Sequence, residues 1–363
     1  MYKRQGENYA IANPAGSDGL YRRYRLRTPY GNFSVQGDHM LRMRLNELAA
    51  VRQLEKIGQS EKFSQALLLA GLSPVTYAGK LLIDPARTLH NTFAGVGSFL
   101  DSVGAGAAHA GKTQDDIAAG LLGISKERRQ LAARLGVDPY TDFAPLAERL
   151  TQLSEAAALG GLAVTGALFA IPGTAGIVVS NLSTAERLGE SRIEELARDS
   201  TAAQIFEMNR RRLEAIGVAP DLIESLLTNR HFTPIDLAVT VAALDSMHGV
   251  RDRAAFVRRA AVARSRTEAF ALRKQAEMLA AHARGGAFVR MVSASPVPLM
   301  QGRAGQRVAI LPADAVAWTA ATAGLLREAG PDGGEWRITG SASALAKRRL
   351  QERGWRVVED AGF

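Results

Sequence analysis

The sequence predicts a mainly α-helical fold with an N-terminal β-hairpin, a multi-helix domain around a buried apolar helix, and a small C-terminal βαβαβ module. Three observations carry this reading. Between residues 38 and 284 apolar side chains recur three and four positions apart, in stretches closed by glycine. Residues Ala156 to Ala185 form a run without a single charge, flanked on both sides by charged helical patterns. After Gly285-Gly286 the pattern changes to short β-type runs alternating with helical ones.

A chain of 363 residues exceeds one ordinary core, so more than one domain is expected. The boundaries read as an extended or disordered segment over 1–19, a β-hairpin over 20–37, an α-helical domain over 38–284 and a small α/β domain over 287–363. Aromatic residues make up 6% of the chain, so the core must lean on Ala, Leu and Val, which favours closely packed helices. There is no cysteine, which removes disulfides, thiol catalysis and thiolate metal sites together. The net charge is +9, and most of the basic side chains are arginine. Such a balance suits an acidic protein partner, an anionic lipid surface or nucleic acid. The charges are spread over many helices instead of one stripe, which argues against nucleic acid without excluding it.

Taken in order, Tyr24 and Leu26 alternate with Arg23, Arg25 and Arg27, the period of a half-buried strand. Pro29-Tyr30-Gly31-Asn32 is a turn, and Phe33-Ser34-Val35 alternates again. Asp38 reads as the cap of a helix bearing Leu41, Leu45, Leu48, Val51 and Leu54, which stops at Gly58. Further helices are expected from Ser60, from Pro74 and from Asp84-Pro85. Ser125 caps residues 126–135, and Asp142 precedes a helix that runs into the uncharged segment. That segment is long enough to span a bilayer, but Ala and Gly dominate it and Pro172-Gly173 divides it. The preferred reading is a buried central helix that ends near Pro172. Ser183 to Glu186 has the form of a capping box, Ser200 to Ile216 is amphipathic, and Thr233-Pro234 opens another helix. Three helices close on Gly-Val, at 136–137, 217–218 and 249–250, which suggests a left-handed glycine cap.

Residues 251–284 are the most basic stretch, and Phe256, Val257, Phe270, Leu272 and Leu279 within it have helical spacing. Arg251, Arg253, Arg258, Arg259, Arg264 and Arg266 should therefore face away from the core, as the candidate interaction surface. In the C-terminal region strands are expected at 287–292, 307–311, 336–339 and 355–358, with Asp314 capping one helix and Ser341 or Ser343 another.

Two motifs bear on ligands. Gly106, Gly111, Lys112 and Thr113 complete G-x-x-x-x-G-K-[ST], the loop that cradles phosphate in nucleotide-binding proteins. Its context is poor: no good strand precedes it and helices, not a βαβ series, follow. Gly340, Ser341 and Ser343 lie where a strand gives way to a helix, a place where backbone donors can hold an anion. The six histidines show no metal-ligand spacing, and no catalytic residue or resident cofactor is indicated.

The function these features suggest is that of a non-enzymatic structural or interaction protein, part of a larger assembly or of the bacterial cell envelope, with a protein partner. One alternative is a membrane-active protein that inserts an apolar hairpin over 156–180, and another is a P-loop nucleotide binder. The polar start of the sequence suits a periplasmic or envelope-associated protein if a signal peptide has been removed, and otherwise a cytoplasmic one.

Overall fold

The computed structural model describes residues 5–6, 8–12, 16–73, 124–169, 190–286, 288–292, 297–329 and 333–361. The chain is a mixed α/β protein with a helical majority. The expected helices at Pro74 and Asp84-Pro85, the capping box at Ser183 and the G-x-x-x-x-G-K-[ST] residues Gly106, Gly111, Lys112 and Thr113 lie outside the described residues.

At the N-terminus β4 (Arg22–Thr28) and β5 (Gly31–Gln36) pair antiparallel. Tyr24 and Leu26 of β4 are buried while Arg23, Arg25 and Arg27 are exposed. The sheet also takes in three short strands, β1 (Gln5–Gly6), β2 (Tyr9–Ile11) and β3 (Gly16–Ser17), with β2 and β3 both pairing with β4.

Helix α1 (Asp38–Gly58) follows directly. Asp38 is its first residue and not its cap: the cap position is Gly37, which has no side chain to supply an acceptor. Helix α2 (Glu61–Leu69) is capped by Ser60, whose hydroxyl accepts the Phe63 N–H. Helix α3 (Lys126–Arg134) is capped in the same way by Ser125. Helix α4 (Ala144–Phe169) packs on α1, α2 and α3 and carries a non-helical residue at Gly161. The sheet and these helices share one apolar interior around Leu26, Leu41, Leu48, Phe63, Leu146 and Leu150. Burial of the uncharged run is incomplete: Ala156 and Ala157 are buried, but Leu159 is 68% exposed.

A second interior belongs to α5 (Glu190–Asp199), α6 (Ala202–Ala215), α7 (Pro220–Leu227), α8 (Pro234–Ser246), α9 (Ala254–Ala261) and α10 (Arg266–Ala283). Helix α8 is its axis, buried from Pro234 to Val241 without a break. Gly136 and Gly217 both take positive φ, and the valine after each donates its N–H five residues back, from Val137 to Ala132 and from Val218 to Leu213. These are paired glycine caps that need a residue without a Cβ. The third Gly-Val site differs, because Val250 donates to Met247, three residues back.

In the C-terminal region five strands run in the order β12 (Trp355–Val358), β10 (Gly334–Ile338), β8 (Arg307–Leu311), β7 (Leu299–Gly302), β6 (Phe288–Val292). Strands β8, β10 and β12 are parallel, while β7 runs antiparallel to both of its neighbours, β8 and the edge strand β6. The sequence does not predict strand β7, since Pro296 and Pro298 precede it and Gly302 is its last residue. Helices α11 (Ala320–Ala329) and α12 (Ala344–Gln351) connect the parallel strands. Strand β8 is buried on both faces. Val308 and Ile310 join the α5–α10 interior, while Ala309 and Leu311 join a third interior around Trp336, Ile338 and Trp355. In that third interior the two indoles meet edge to face at 6.2 Å.

Asp314 does not cap a helix of its own region. Residues 315–316 form a short strand, β9 (Ala315–Val316), parallel to β11 (Ser341–Ala342), and α11 starts later, at Ala320. The Asp314 carboxylate instead accepts the backbone N–H of Arg22 at 2.9 Å and of Asp38 at 3.0 Å, and so serves the uncapped end of α1.

Candidate functional site: an ion chain beside a cavity

Four pieces of the chain bring charged side chains together inside the protein. Helix α1 supplies Arg44 and Glu47, three apart and therefore on one face. The turn after Gly136 supplies Asp138, Thr141 and Asp142, and α8 supplies Asp236 from its first turn. Helix α10 supplies Arg266, Arg273, Lys274 and Glu277.

These residues form one chain of alternating sign. Glu47 meets Arg44 at 2.7 Å, and Arg44 meets Asp142 at 2.7 Å. Asp142 meets Arg266 at 3.3 Å, and Arg266 meets Asp236 at 2.5 Å. Asp236 meets Arg273 at 2.9 Å, Arg273 meets Glu277 at 2.9 Å, and Glu277 meets Lys274 at 2.8 Å. Four carboxylates thus face four cations, and Asp236 and Glu277 are completely buried. Phe270 lies between Arg266 and Arg273, whose guanidinium carbons are 5.6 and 5.5 Å from its ring centre. Burial alone would raise the Asp142 carboxyl, but Arg44 and Arg266 overcome it and hold it well below the usual carboxylate range. Asp236 and Glu277 are lowered in the same way, against burial, by their flanking cations. The chain ties α1, α8 and α10 into one register. A carboxylate neutralised on both sides has no proton to trade at neutral pH.

Asp138 stands beside this chain and outside its pairing. It accepts the Thr233 hydroxyl at 2.6 Å and the Tyr140 N–H at 2.8 Å, both neutral donors. Burial and the neighbouring Asp236 charge push its carboxyl up to about 6. It lines a cavity of about 130 Å³ between α1, the end of α3, α5 and α10. Met43, Val137, Ile193, Ala197, Ile235 and Phe270 give the apolar walls, and His39, Asn46, Glu47, Glu194, Arg273 and Lys274 add polar groups. The His39 ring has a buried Nε2 atom without a hydrogen-bond partner. Burial, with Lys274 and Arg42 nearby, brings the His39 imidazole down to about 4, so it is neutral at physiological pH. Lys274 is lowered by burial, with Glu277 opposing.

The residues singled out from the sequence fall elsewhere or divide. Arg251, Arg258 and Arg264 are exposed, as a solvent-facing surface requires. Arg253 turns inward onto the carbonyls of Leu244 and Asp245 at the end of α8, and Arg259 pairs with Glu268. Arg266, expected to face away from the core, is a link of the ion chain, because Asp142 and Asp236 offer it a buried anionic slot. At the other candidate, the Gly340 N–H donates to Ala313, the Ser341 N–H to Asp314 and the Ser343 N–H to Val316, so these donors are already spent. The Ser343 hydroxyl caps α12 through the Ala346 N–H. Gly340 is there for close approach: a Cβ would lie 1.9 Å from the Asp314 carbonyl oxygen.

Nothing in the sequence brings His39, Asp138, Lys274 and Glu277 together as a site. One signal was present: α10 is buried from Leu272 to Ala280 with three charges inside that stretch, and Arg266 and Arg273 are seven apart on one face. Among the described residues there is no cluster of metal-ligating side chains, and no helix is long and apolar enough to cross a membrane.

Fold and site together define a helix-rich α/β protein with a charge-locked interior and a small mixed cavity. No protein-family model, no curated protein and no solved structure matches the chain.

Proposed function

We propose that this protein is a non-enzymatic interaction protein, a component of a larger assembly, which docks through the exposed arginine row of its N-terminal sheet onto an acidic protein surface. One contrast carries this reading. The interior arginines Arg44, Arg266 and Arg273 each sit against carboxylates. Arg23, Arg25 and Arg27 project from the outer face of β4 with no ion pair to any described residue. Their cross-strand neighbours on β5 are Gln36, Ser34 and Asn32, none of them acidic. Alternate residues of a strand are about 7 Å apart, so the row presents three cations at regular spacing. A like-charged row without internal partners is relieved by a partner that brings the opposite sign.

The test is charge reversal. Wild type and the triple variant Arg23→Glu, Arg25→Glu, Arg27→Glu are passed over immobilised polyglutamate, over DNA and over phosphatidylglycerol vesicles. Retention on polyglutamate that salt releases and the triple variant loses supports the reading. Retention unchanged by the reversal, or stronger on DNA or lipid than on polyglutamate, rejects it.

A second reading, the membrane-active hairpin over 156–180, draws support from Leu159, 68% exposed just before the Gly161 break in α4, and from Leu68 and Leu69, 63% and 83% exposed at the end of α2. It expects release of trapped dye from vesicles by the wild type, insensitive to the arginine reversal. Dye retention at both acidic and neutral pH rejects it.

A further inference from the structure

We propose that the free edge of β5 takes up an extended segment of the acidic partner as an added strand, with its carboxylates alternating beside the arginine row of β4. The inference rests on the docking reading above and names the form in which the partner binds.

The ladder decides which backbone groups are free. The Gly37 N–H donates to the Arg22 carbonyl at 2.8 Å. Arg22 and Gly37 therefore form a hydrogen-bonded pair, and in an antiparallel ladder such pairs alternate with open ones. Arg23 with Gln36, Arg25 with Ser34 and Arg27 with Asn32 are the open pairs. Arg25 accordingly turns its carbonyl the other way, where it accepts the Ala12 N–H at 2.9 Å. By the same alternation the backbone groups of Asn32, Ser34 and Gln36 point away from β4. Strands β2 and β3 lie along the opposite edge of β4, and β5 pairs with no other strand among the described residues. Asn32 and Ser34 are exposed and Gln36 is half-buried, so the open stretch is centred on Asn32 and Ser34.

This edge lacks the usual protection. Exposed edges are commonly guarded by charged side chains, a proline or a bulge. From Gly31 to Gln36 there is no charge and no proline, and the register with β4 runs without a shift. Such an edge can take another strand through its main-chain hydrogen bonds.

Charge selects the occupant. An added strand lies two spacings of about 4.8 Å from β4. Its outward side chains fall on the face that carries Arg23, Arg25 and Arg27, with the short side chains of Asn32 and Ser34 between. An arginine from one side and a carboxylate side chain from the other can meet over them. A second copy of this chain, paired antiparallel edge to edge, would set two arginine rows on one face of a continuous sheet, where like charges repel. The inward positions of the added strand lie beside Phe33, which is half-buried with its ring edge-on to Phe143 at 4.9 Å. The matching segment therefore alternates acidic and apolar residues.

The test titrates the full chain with two fluorescent peptides, followed by anisotropy. One is an alternating glutamate–valine octapeptide. The other carries methyl groups on its glutamate amide nitrogens, the ones this pairing directs at β5. The unmodified peptide is expected to bind at least tenfold more tightly, to be released by salt, and to be lost on charge reversal of Arg23, Arg25 and Arg27. Ser34→Pro removes an outward N–H without taking a bond from β4, and should weaken the peptide at least tenfold. Circular dichroism shows whether this variant folds; should it fail to, the two peptides on the wild type decide alone. Equal affinity of the two peptides, or retention on polyglutamate without binding of the alternating peptide, overturns the added strand and leaves charge docking standing. Failure of every acidic probe to bind removes both. A wild-type dimer that Ser34→Pro dissolves would put a second copy on the edge and overturn the inference.

Discussion

The carboxylate of Asp314 accepts the backbone N–H of Asp38, 276 residues earlier in the chain, with both oxygens 3.0 Å from the nitrogen. Helix α1 is therefore capped from the C-terminal region, because its own cap position is a glycine. Asp314→Ala removes the acceptor for Asp38 and for Arg22 together. The expected loss is about 2 kcal/mol, at the upper end for an N-cap, read as a lower midpoint in urea. Asp314→Asn keeps an acceptor and should lose less. Equal losses for the two variants would show that the hydrogen bonds do not matter there.

The ion chain predicts an asymmetry between breaking a link and deleting a pair. Asp236→Ala leaves the Arg266 and Arg273 cations facing each other in the interior, and should cost about 3–5 kcal/mol. Replacing both ends of the terminal link, as in Lys274→Met with Glu277→Leu, should cost less than Glu277→Leu alone. Urea unfolding of the single and double variants gives the coupling directly. Additive losses would mean that the pair does not act as one unit.

Acid should act on His39 and Asp138 in opposite senses. The folded chain holds the His39 imidazole at about 4, below the ordinary 6.5. The unfolded chain therefore takes that proton first, and stability falls as pH drops from about 6.5 to 4. Asp138 is held at about 6, above the ordinary 3.8, so the folded chain takes its proton first and stability rises over nearly the same range. Asp314, which burial also raises to about 6, acts in the same sense as Asp138. On acidification from pH 7 to 4.5, His39→Gln should gain more stability than the wild type and Asp138→Asn less, by roughly 2 kcal/mol each. The lowered carboxylates Asp142, Asp236 and Glu277 contribute stability that is present above their ordinary values and lost as pH falls below about 4. Melting temperatures across this range check both signs.

Gly340→Ala should destabilise the C-terminal region, because the added methyl would press against the backbone of Asp314. Backbone cannot rotate away as a side chain can. The expected cost is about 1–3 kcal/mol, as for an overpacked core, with slower burial of the Trp336 and Trp355 fluorescence on refolding. A neutral outcome would mean that the β9 and β11 turns separate freely.

Most of the individual elements could be read from the sequence, and the way they meet could not. The arginine alternation of β4, the serine caps of α2 and α3 and the Gly-Val ends of α3 and α6 are local facts, written in neighbouring residues. Asp314 looked like a local cap for the same reason, since Asp before a helical pattern usually is one. Its real partners are the backbone of Arg22 and Asp38, and no local rule reaches that far. Arg266 illustrates the same limit. Helical spacing placed it opposite the core of its own helix, but a second apolar interior around α1 and α4 lies on that side, and Asp142 waits there. Asp138, His39 and Lys274 come from three separate stretches, so the cavity has no sequence signature.

Strand β8 gives its alternate side chains to two different interiors, Val308 and Ile310 to one and Ala309 and Leu311 to the other. It works as a shared wall. A methyl group added or removed on one side shifts the backbone that the other side is packed against, since neither interior has slack to absorb it. Sequence change along these residues is therefore coupled: a larger residue at Ala309 calls for an accommodating change among the helices as well as beneath the sheet. Neighbouring positions on this strand should tolerate substitution in pairs better than singly, and the two halves of the protein should drift in sequence together.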